Sequence, residues 1–514
     1  MEEKPIGGLK GRRKIYTDKE EITDENIFEV LRAAMVIHSM NRDEMQYLLN
    51  FEKGMQPLVR EKKVRADIDI KSISNIASEI TEFKLGYFWG RPVALVQKSN
   101  KLPSGSNPNM DNDAIALLNS MYSAEYKDSK DQKLARYIEI CGIGYQMIDI
   151  KREVEDGDAA FDLLNLNPLY TFVVYSNNVF ETPMLGVTYV ENNNGEKFFS
   201  CYSKDTVFLV KNMYKVLKSG KQGKTMEWLF GKRSGEANPF DEVPIIEFQR
   251  SFDRTGCFER QIDELNALNI LESDLVNDVA QTTQANWWGN DFTFAEDENG
   301  KQQEPVGGQW IMTKTAGNGL KPDIKALVLQ YDYAGVLSNI NSKHDGILER
   351  AFVPKQSDPG GGSTGTAMSL SSGWSAAEAS ACKEALVVKE SFQKRNKLVL
   401  KAIKKSASVT EDSPLQTLSW NDVDVNFIRQ KTFDLSTKVN SLSTMLNSMV
   451  DPKTAMETVD LFGNLAEAVS DSYDNMKKYQ DNLLKEKKDS TDGAVVESKN
   501  DMSAQIDNSP ILDK

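Results

Sequence analysis

Apolar residues recur every three or four positions along several stretches of the chain and fall into short strand-like runs along others. Ile27, Val30, Leu31 and Ala34 follow Thr23-Asp24-Glu25, a helix-start signal, and a second helical stretch covers 42–51 before Glu52-Lys53-Gly54. Over 72–83, Ile73, Ile76, Ile80 and Phe83 describe one buried helix face. The run Leu85 to Pro92 breaks that helix and starts a strand over 93–96. A loop rich in Ser, Asn, Pro and Gly (99–112) leads to a helix over 114–122. Strands are then expected at 144–150, 161–166, 171–175, 186–190, 198–202 and 206–210. Turn chemistry separates them at Glu155-Asp156-Gly157-Asp158, Ser176-Asn177-Asn178 and Asn192-Asn193-Asn194-Gly195. This region reads as mostly antiparallel β, closing near 244–248.

Beyond Phe258 the period becomes helical and long. Leu265, Leu268, Leu271, Leu275 and Val279 form one stripe; Tyr333, Val336, Leu337, Ile340, Ile347 and Leu348 form another over 331–351. Between them, 286–322 carries Trp287-Trp288, Gly307-Gly308, Trp310 and Gly317-Asn318-Gly319, and reads as a small β-rich excursion. Phe352-Val353-Pro354 stops the second helix, and a glycine-rich loop follows. A third period runs over 367–405 through Trp374, Ala377, Ala381, Ala385, Val388, Phe392, Val399 and Ile403. Such a helix is about 50–60 Å long, which suggests a spine beside other spines. A strand over 423–427, a helix over 436–449 and a helix pair opened by Asp451-Pro452 complete the ordered chain. The last 26 residues hold six acids and two lysines and are expected to be disordered.

Composition narrows the function. The chain has 514 residues, 40% hydrophobic and 27% charged, enough for two to four cores. No apolar run reaches the roughly 18–20 residues of a membrane span, and Met1 to Tyr16 is basic without the apolar stretch of a secretory signal. Residues 1–20 read as a solvated arm with Lys10, Arg12, Arg13 and Lys14. Cys141, Cys201, Cys257 and Cys382 form no close pair and read as buried thiols of a reducing cytoplasm; with only two histidines, a zinc site is not expected. The formal charge of −14 argues against a protein that grips nucleic acid, but does not exclude one that lets DNA pass.

Candidate catalytic motifs fail on inspection. Gly223-Lys224-Thr225 ends like a P-loop, but Lys218 stands where its first glycine belongs and the flanks read as a hairpin. Gly360 to Gly365 lacks a partner Lys-Ser/Thr, and Cys141-Gly142-Ile143-Gly144-Tyr145 reads as a tight bend into a strand. His38 and His344 have no nucleophile or acid that the sequence puts beside them, and the carboxylates are unclustered, with Asp253, Asp263, Glu264, Asp274 and Asp278 reading mostly as helix surface. No catalytic residue, metal or cofactor is expected. Lys383, Lys389, Lys394, Arg395, Lys397, Lys401, Lys404 and Lys405 make the end of the long helix basic, either a solvated face or a band toward a neighbour or DNA.

The order of these pieces resembles the tailed-bacteriophage portal proteins over about residues 25–485. The pieces are Lys84-Leu85-Gly86-Tyr87-Phe88-Trp89-Gly90-Arg91-Pro92, Ile140 to Tyr145, Asn167-Pro168-Leu169-Tyr170-Thr171-Phe172, Val243-Pro244-Ile245-Ile246-Glu247-Phe248, Asp263 to Asn269 with Ser273 to Asp278, and Ser363-Thr364-Gly365-Thr366-Ala367-Met368. The resemblance implies an α+β, portal-type fold with an α/β wing, two stem helices, a small β-containing clip, a long helix after a tunnel loop, and a helical crown. By position these are a mobile basic arm (1–22), wing (23–258), first stem helix (259–285), clip (286–323), second stem helix (324–351), tunnel loop (352–365), long helix (366–408), wing return (409–435), crown (436–488) and acidic tail (489–514). It further implies a ring, typically of twelve subunits, at one capsid vertex of a virion assembled in the bacterial cytoplasm. Its implied partners are double-stranded DNA, the terminase large subunit, the head-tail adaptor, and the major capsid and scaffold proteins, with no membrane. Lys355, Gln356, Asp358, Gly360, Gly361 and Gly362 are the expected channel-facing loop residues, and Trp287, Trp288 and Trp310 the expected clip contacts. A non-portal adaptor or tail component is the alternative, although it gives no reason for two stem helices around a β insert.

Overall fold

The computed structural model describes residues 11–58, 68–98, 108–155, 157–214, 226–230, 236–283, 286–290, 292–294, 313–315, 323–327, 332–355, 373–427 and 435–459, with a few further positions between 472 and 482. The chain opens with strand β1 (Ile15–Thr17), helices α1 (Ile27–Glu52) and α2 (Ile76–Phe88), β2 (Ala94–Gln97), α3 (Pro108–Ala124) and α4 (Lys127–Cys141). The β region follows: β3 (Ile143–Ile150), β4 (Phe161–Leu166), β5 (Thr171–Ser176), β6 (Pro183–Glu191), β7 (Lys197–Ser203), β8 (Thr206–Tyr214), β9 (Met226–Phe230), β10 (Glu236–Ala237) and β11 (Ile245–Gln249). Helix α5 (Ile262–Thr283) leads into β12 (Asn286–Asn290), β13 (Phe292–Phe294), β14 (Thr313–Thr315) and β15 (Asp323–Leu327), then α6 (Tyr333–Arg350). The chain ends its described course with α7 (Trp374–Lys405), the turn α8 (Pro414–Thr417), β16 (Val423–Asn426), α9 (Leu435–Asn447) and α10 (Pro452–Val459).

Three large cores hold these elements. One face of the seven-stranded sheet, from β1 and β5 through β8 to β10, is covered by α1 through Ile27, Val30, Leu31 and Ala34. Alternation on the strands explains this face: Tyr189 and Phe199 point into the core while Val190 and Phe198 point away. A second sheet, β11-β3-β4, carries α7 on one side, where Phe248, Phe392, Val388 and Val399 pack with Trp89 and Phe161. Its other side joins Met45, Leu48 and Phe51 of α1 to Leu265 and Leu268 of α5 and Ile347 and Leu348 of α6.

Several expectations change. The two helical stretches at 27–51 are one 26-residue helix, because polar residues midway along it, His38, Asn41 and Glu44, are buried with partners. Helix α4 went unread: its apolar positions are sparse, and Lys127, Asp131 and Glu139 are buried on it. From Gly11 the basic arm is built in and not mobile: Ile15, Tyr16 and Thr17 pair in parallel with Val174, Tyr175 and Ser176. The side chain of Arg12 is fully buried, 2.7 Å from Glu259 and 3.1 Å from Glu44. Finally, α7 is not a spine beside other spines. It crosses the core, with Ala377, Val388, Phe392, Val399 and Ile403 buried. Of the cysteines, Cys141, Cys201 and Cys257 are buried as expected, whereas Cys382 is exposed.

Candidate channel elements and the clusters that brace them

The two long helices beyond the β region form an antiparallel hairpin. At its base, Gln261 Nε2 donates to the Arg350 carbonyl (3.4 Å) and Arg350 Nε donates to Glu264 (3.0 Å). At its other end β12 leaves α5 and pairs antiparallel with β15, which leads to α6; β13 and β14 make a second antiparallel ladder inside that loop. The β-rich excursion expected here is therefore a pair of ladders. Trp287 and Trp288 stand on β12 opposite Ala326 and Lys325. Trp310 lies outside the described residues, as do Gln356, Asp358, Gly360, Gly361 and Gly362. Asp332 caps α6 by accepting from the Gly335 amide at 2.9 Å.

Helix α5 carries Asp263, Glu264, Glu272, Asp274 and Asp278 and neither Lys nor Arg. One face is buried, yet it is polar. Asn277 exchanges two bonds with the backbone of Ile70 (2.9 and 2.7 Å). Ser273 does the same with Ser72 (3.0 and 3.1 Å), and Asn269 accepts from the Ser74 amide (3.2 Å). The match is geometric. Four helical residues rise about 6 Å, close to the roughly 6.6 Å spanned by two extended residues, so side chains at i, i+4 and i+8 satisfy alternate residues of a strand. The helix thus stands in for a missing sheet neighbour. A four-residue spacing of Asn, Ser and Asn between the apolar positions was the sequence signal for it.

Lys355, two residues after the buried Val353, is half-exposed and lies 3.3 Å from Asp345 of α6. His344 is 3.7 Å from both Asp345 and Glu79. Phe352, at φ +57°, turns the chain out of α6 with its ring exposed.

Beside the Arg12 cluster, three more buried ionic clusters brace the described body, although the carboxylates are expected from the sequence to be unclustered. Around Arg250, Glu139 lies 2.9 Å from Nε and Glu384 3.4 Å from Nη2, with Trp89 Nε1 donating to Glu139 at 3.1 Å. Burial and then the neighbouring Glu139 raise the Glu384 carboxyl well above the usual range. Burial is the largest influence on Glu139 and pushes it up, yet its carboxyl stays below the usual range because the Arg250 charge, the Glu384 hydrogen bond, the Lys84 charge and the Trp89 hydrogen bond together outweigh it. In the second cluster Arg395, fully buried on α7, bonds Asp131 (2.6 Å) and Gln146 (3.3 Å), and Lys127 reaches Asp131 at 3.2 Å. The third joins Arg254, Glu247 and Tyr145 (2.5 and 3.0 Å).

Most of the basic residues of α7 are paired within the chain. Lys397 and Lys401 both lie 2.6 Å from Glu242, Lys405 2.7 Å from Asp241, and Lys389 2.7 Å from Asp424. Lys394 pairs with Glu390, and Lys404 donates to the Leu418 carbonyl. Gly223-Lys224-Thr225 lies outside the described residues; the strands before and after it in the chain, β8 and β9, pair antiparallel. Gly142 is a helix C-cap at φ +79°, the tight bend expected before β3. His38 is buried against Phe172, its Nε2 3.1 Å from the Leu169 carbonyl, and desolvation lowers its pKa to about 4. An open groove of about 970 Å³ lies between residues 20–24, the sheet end at Ser203–Thr206 and α7, and neither His nor Cys lines it. Among the described residues no three His, Cys, Asp or Glu gather to hold a metal, and no helix is long and apolar enough to cross a membrane.

What these features define is an α+β protein with a long helix hairpin tipped by β ladders and with buried ionic clusters bracing its body. A family model described as phage portal protein, SPP1 Gp6-like, matches residues 37–489, and the chain belongs to that family. The phage portal family is a structural one. No curated protein matches the chain.

Proposed function

We propose that the chain forms a ring-shaped channel at one capsid vertex, through which double-stranded DNA enters and leaves. The carrying observation is the antiparallel α5–α6 hairpin, tipped by ladders and followed directly by Lys355 and then α7, all inside the matched segment. In this reading α5 and α6 are the stem, 286–323 the clip, 352–365 the tunnel loop, 23–258 the wing, and 436–488 the crown. Both stem helices keep apolar groups outward, Val276 at 38% and Leu337 at 51% exposure, as helices that pack against neighbouring subunits require. Trp287, Trp288 and Trp310 are proposed contacts for the terminase large subunit and later the head-tail adaptor. Capsid and scaffold proteins would meet the wing.

Electrostatics favours passage over grip. Five acids and no Lys or Arg on α5, with a chain charge of −14, weigh against cationic wells along that helix, and twelve copies would carry −168. Lys355, and with it Gln356, are the proposed DNA-facing contacts; Asp358 and Gly360 to Gly362 would let the loop shift as DNA passes.

Negative-stain electron microscopy with light scattering tests the ring. Annular particles near twelve times 57.7 kDa, about 690 kDa, are expected. A small closed dimer or tetramer without a hole would sink the reading. For the loop, changing Gly360, Gly361 and Gly362 to alanine should reduce packaged-DNA retention, and unchanged packaging and retention would remove the loop from the mechanism.

A further inference from the structure

Phe352 occupies a position at which glycine is the ordinary residue. Helix α6 ends in a pair of closing bonds: the Val353 amide donates to the Leu348 carbonyl (2.9 Å) and the Phe352 amide to the Glu349 carbonyl (3.0 Å). That closure puts Phe352 at φ +57°, where a bulky residue is an outlier and glycine is at ease. A phenylalanine there needs a reason. Core packing does not supply it, since 47% of the residue is exposed.

What the ring covers is a lysine. Lys84 of α2 is only 4% exposed, and its ammonium lies 5.8 Å from the Phe352 ring centroid and 5.9 Å from that of Phe83. Both distances fall within the reach of a cation–π contact. Among the described residues the ammonium makes no hydrogen bond and no ion pair within 4 Å. Arg250, Glu139, Glu384 and the Cys257 thiol act on it through space, and burial followed by the Arg250 charge lowers its pKa. A buried ammonium without an acceptor gains by meeting water, so the ring holds it against a pull toward solvent.

The same stretch of α2 seats the next helix. Trp374, at the start of α7, lies 6.1 Å from Phe83 and 5.6 Å from Tyr87, and the Tyr87 hydroxyl donates to Glu378 (2.6 Å). A Cβ on Gly373 would stand 3.7 Å from the Pro354 Cα. The chain therefore leaves α6 and enters α7 beside residues 83–87.

We propose that Phe352 and Lys84 form a spring-loaded latch between the α6 exit and α2: the ring keeps water from the ammonium, and opening relieves both a strained backbone and an unsolvated charge. The inference goes beyond the channel reading and holds within one subunit. Anything that draws the chain after Val353 away from α6 lifts the ring, admits water to Lys84 and changes the charge balance among Arg250, Glu139 and Glu384. A movement at the α6 exit is thereby felt inside the body.

Trace acetylation of the full-length protein at about pH 8, read lysine by lysine by mass spectrometry, tests the cover. Lys127, also buried, is the internal control, because its partners Val93 and Asp131 lie outside the latch. In Phe352→Ala and in Phe352→Gly, Lys84 labelling relative to Lys127 should rise about tenfold over wild type, the size of a partly desolvated cation–π contact, with unchanged circular dichroism. Unchanged Lys84 labelling, or an equal rise at Lys127, overturns the cover. Protection lost in Phe352→Ala but kept in Phe352→Gly would make the backbone the holding element, and overturns it too. From the other side, Lys84→Leu should raise amide exchange about tenfold at Phe352 and Val353 but not at Leu348. Unchanged exchange at Val353 overturns the coupling to the α6 exit.

Discussion

His38 and Glu384 are buried ionisable groups with opposite consequences for stability. The His38 pKa of about 4 lies below its ordinary 6.5. The unfolded chain therefore takes the proton first as pH falls, and the loss of stability grows from pH 6.5 and is complete below about 4. The whole shift corresponds to about 3 kcal/mol. His38→Gln, which can still donate to the Leu169 carbonyl, should flatten the stability curve across that window in urea titrations at stepped pH. Glu384 is raised, so its contribution is full below the ordinary carboxyl range and shrinks as pH rises. Glu384→Gln keeps the neutral, hydrogen-bonding form at every pH. It should be more stable than wild type at pH 8, with the difference closing toward pH 5; a constant or reversed difference would show that the carboxyl is ionised in the fold. Both groups sat in plain view in the sequence, but burial is a property of their neighbours, and nothing local announced it.

Among the elements, α5 carries the most specific expectation. Asn269, Ser273 and Asn277 hold residues 70–74 as a strand would, so replacing Asn277 with alanine leaves the Ile70 amide and carbonyl without their partner. A cost of about 1–3 kcal/mol is expected, with amide exchange rising over residues 70–74 and not in the core of α5. Uniform exchange across the region would contradict the zipper. Element type was well legible where period and turn chemistry agreed: β4 occupies the very residues read for it, and the α5 and α6 stripes stand where expected. It failed where a buried polar residue interrupted the period, as at His38 and Asn41 in α1, or where an apolar minority was hidden among charges, as in α4. Strand β1 is three residues long and borrows its order from β5, so no pattern of its own could reveal it.

On the scale of the molecule, the N-terminal segment ties distant parts of the chain together. Arg12 lies between Glu44 of α1 and Glu259 at the start of α5, whose carboxylate also takes the Gly11 and Gly256 amides (3.3 and 2.8 Å). Arg12→Ala would leave Glu259 buried without its cation and Glu44 with Arg13 alone, at an expected cost of about 3–5 kcal/mol in chemical denaturation. Arg13→Ala, whose side chain is partly exposed at 37%, should cost far less. Equal losses would mean that the segment acts through packing alone.

The sequence by itself determined the acidic balance, the run of short antiparallel strands, the two long helices around a β insert, and the family order that these make. Those are local or additive properties: a period, a turn residue and a charge count need no partner to be read. Only the tertiary structure decided that residues 11–17 belong to the fold and that the lysines of α7 are neutralised at home by Glu242, Asp241 and Asp424. It alone showed that α5 presents a polar buried face, and that the Phe352 ring lies over Lys84. The reason is physical. Burial and ion pairing are set by what lies across the gap, often more than a hundred residues away along the chain, and a one-dimensional pattern carries no record of that distance.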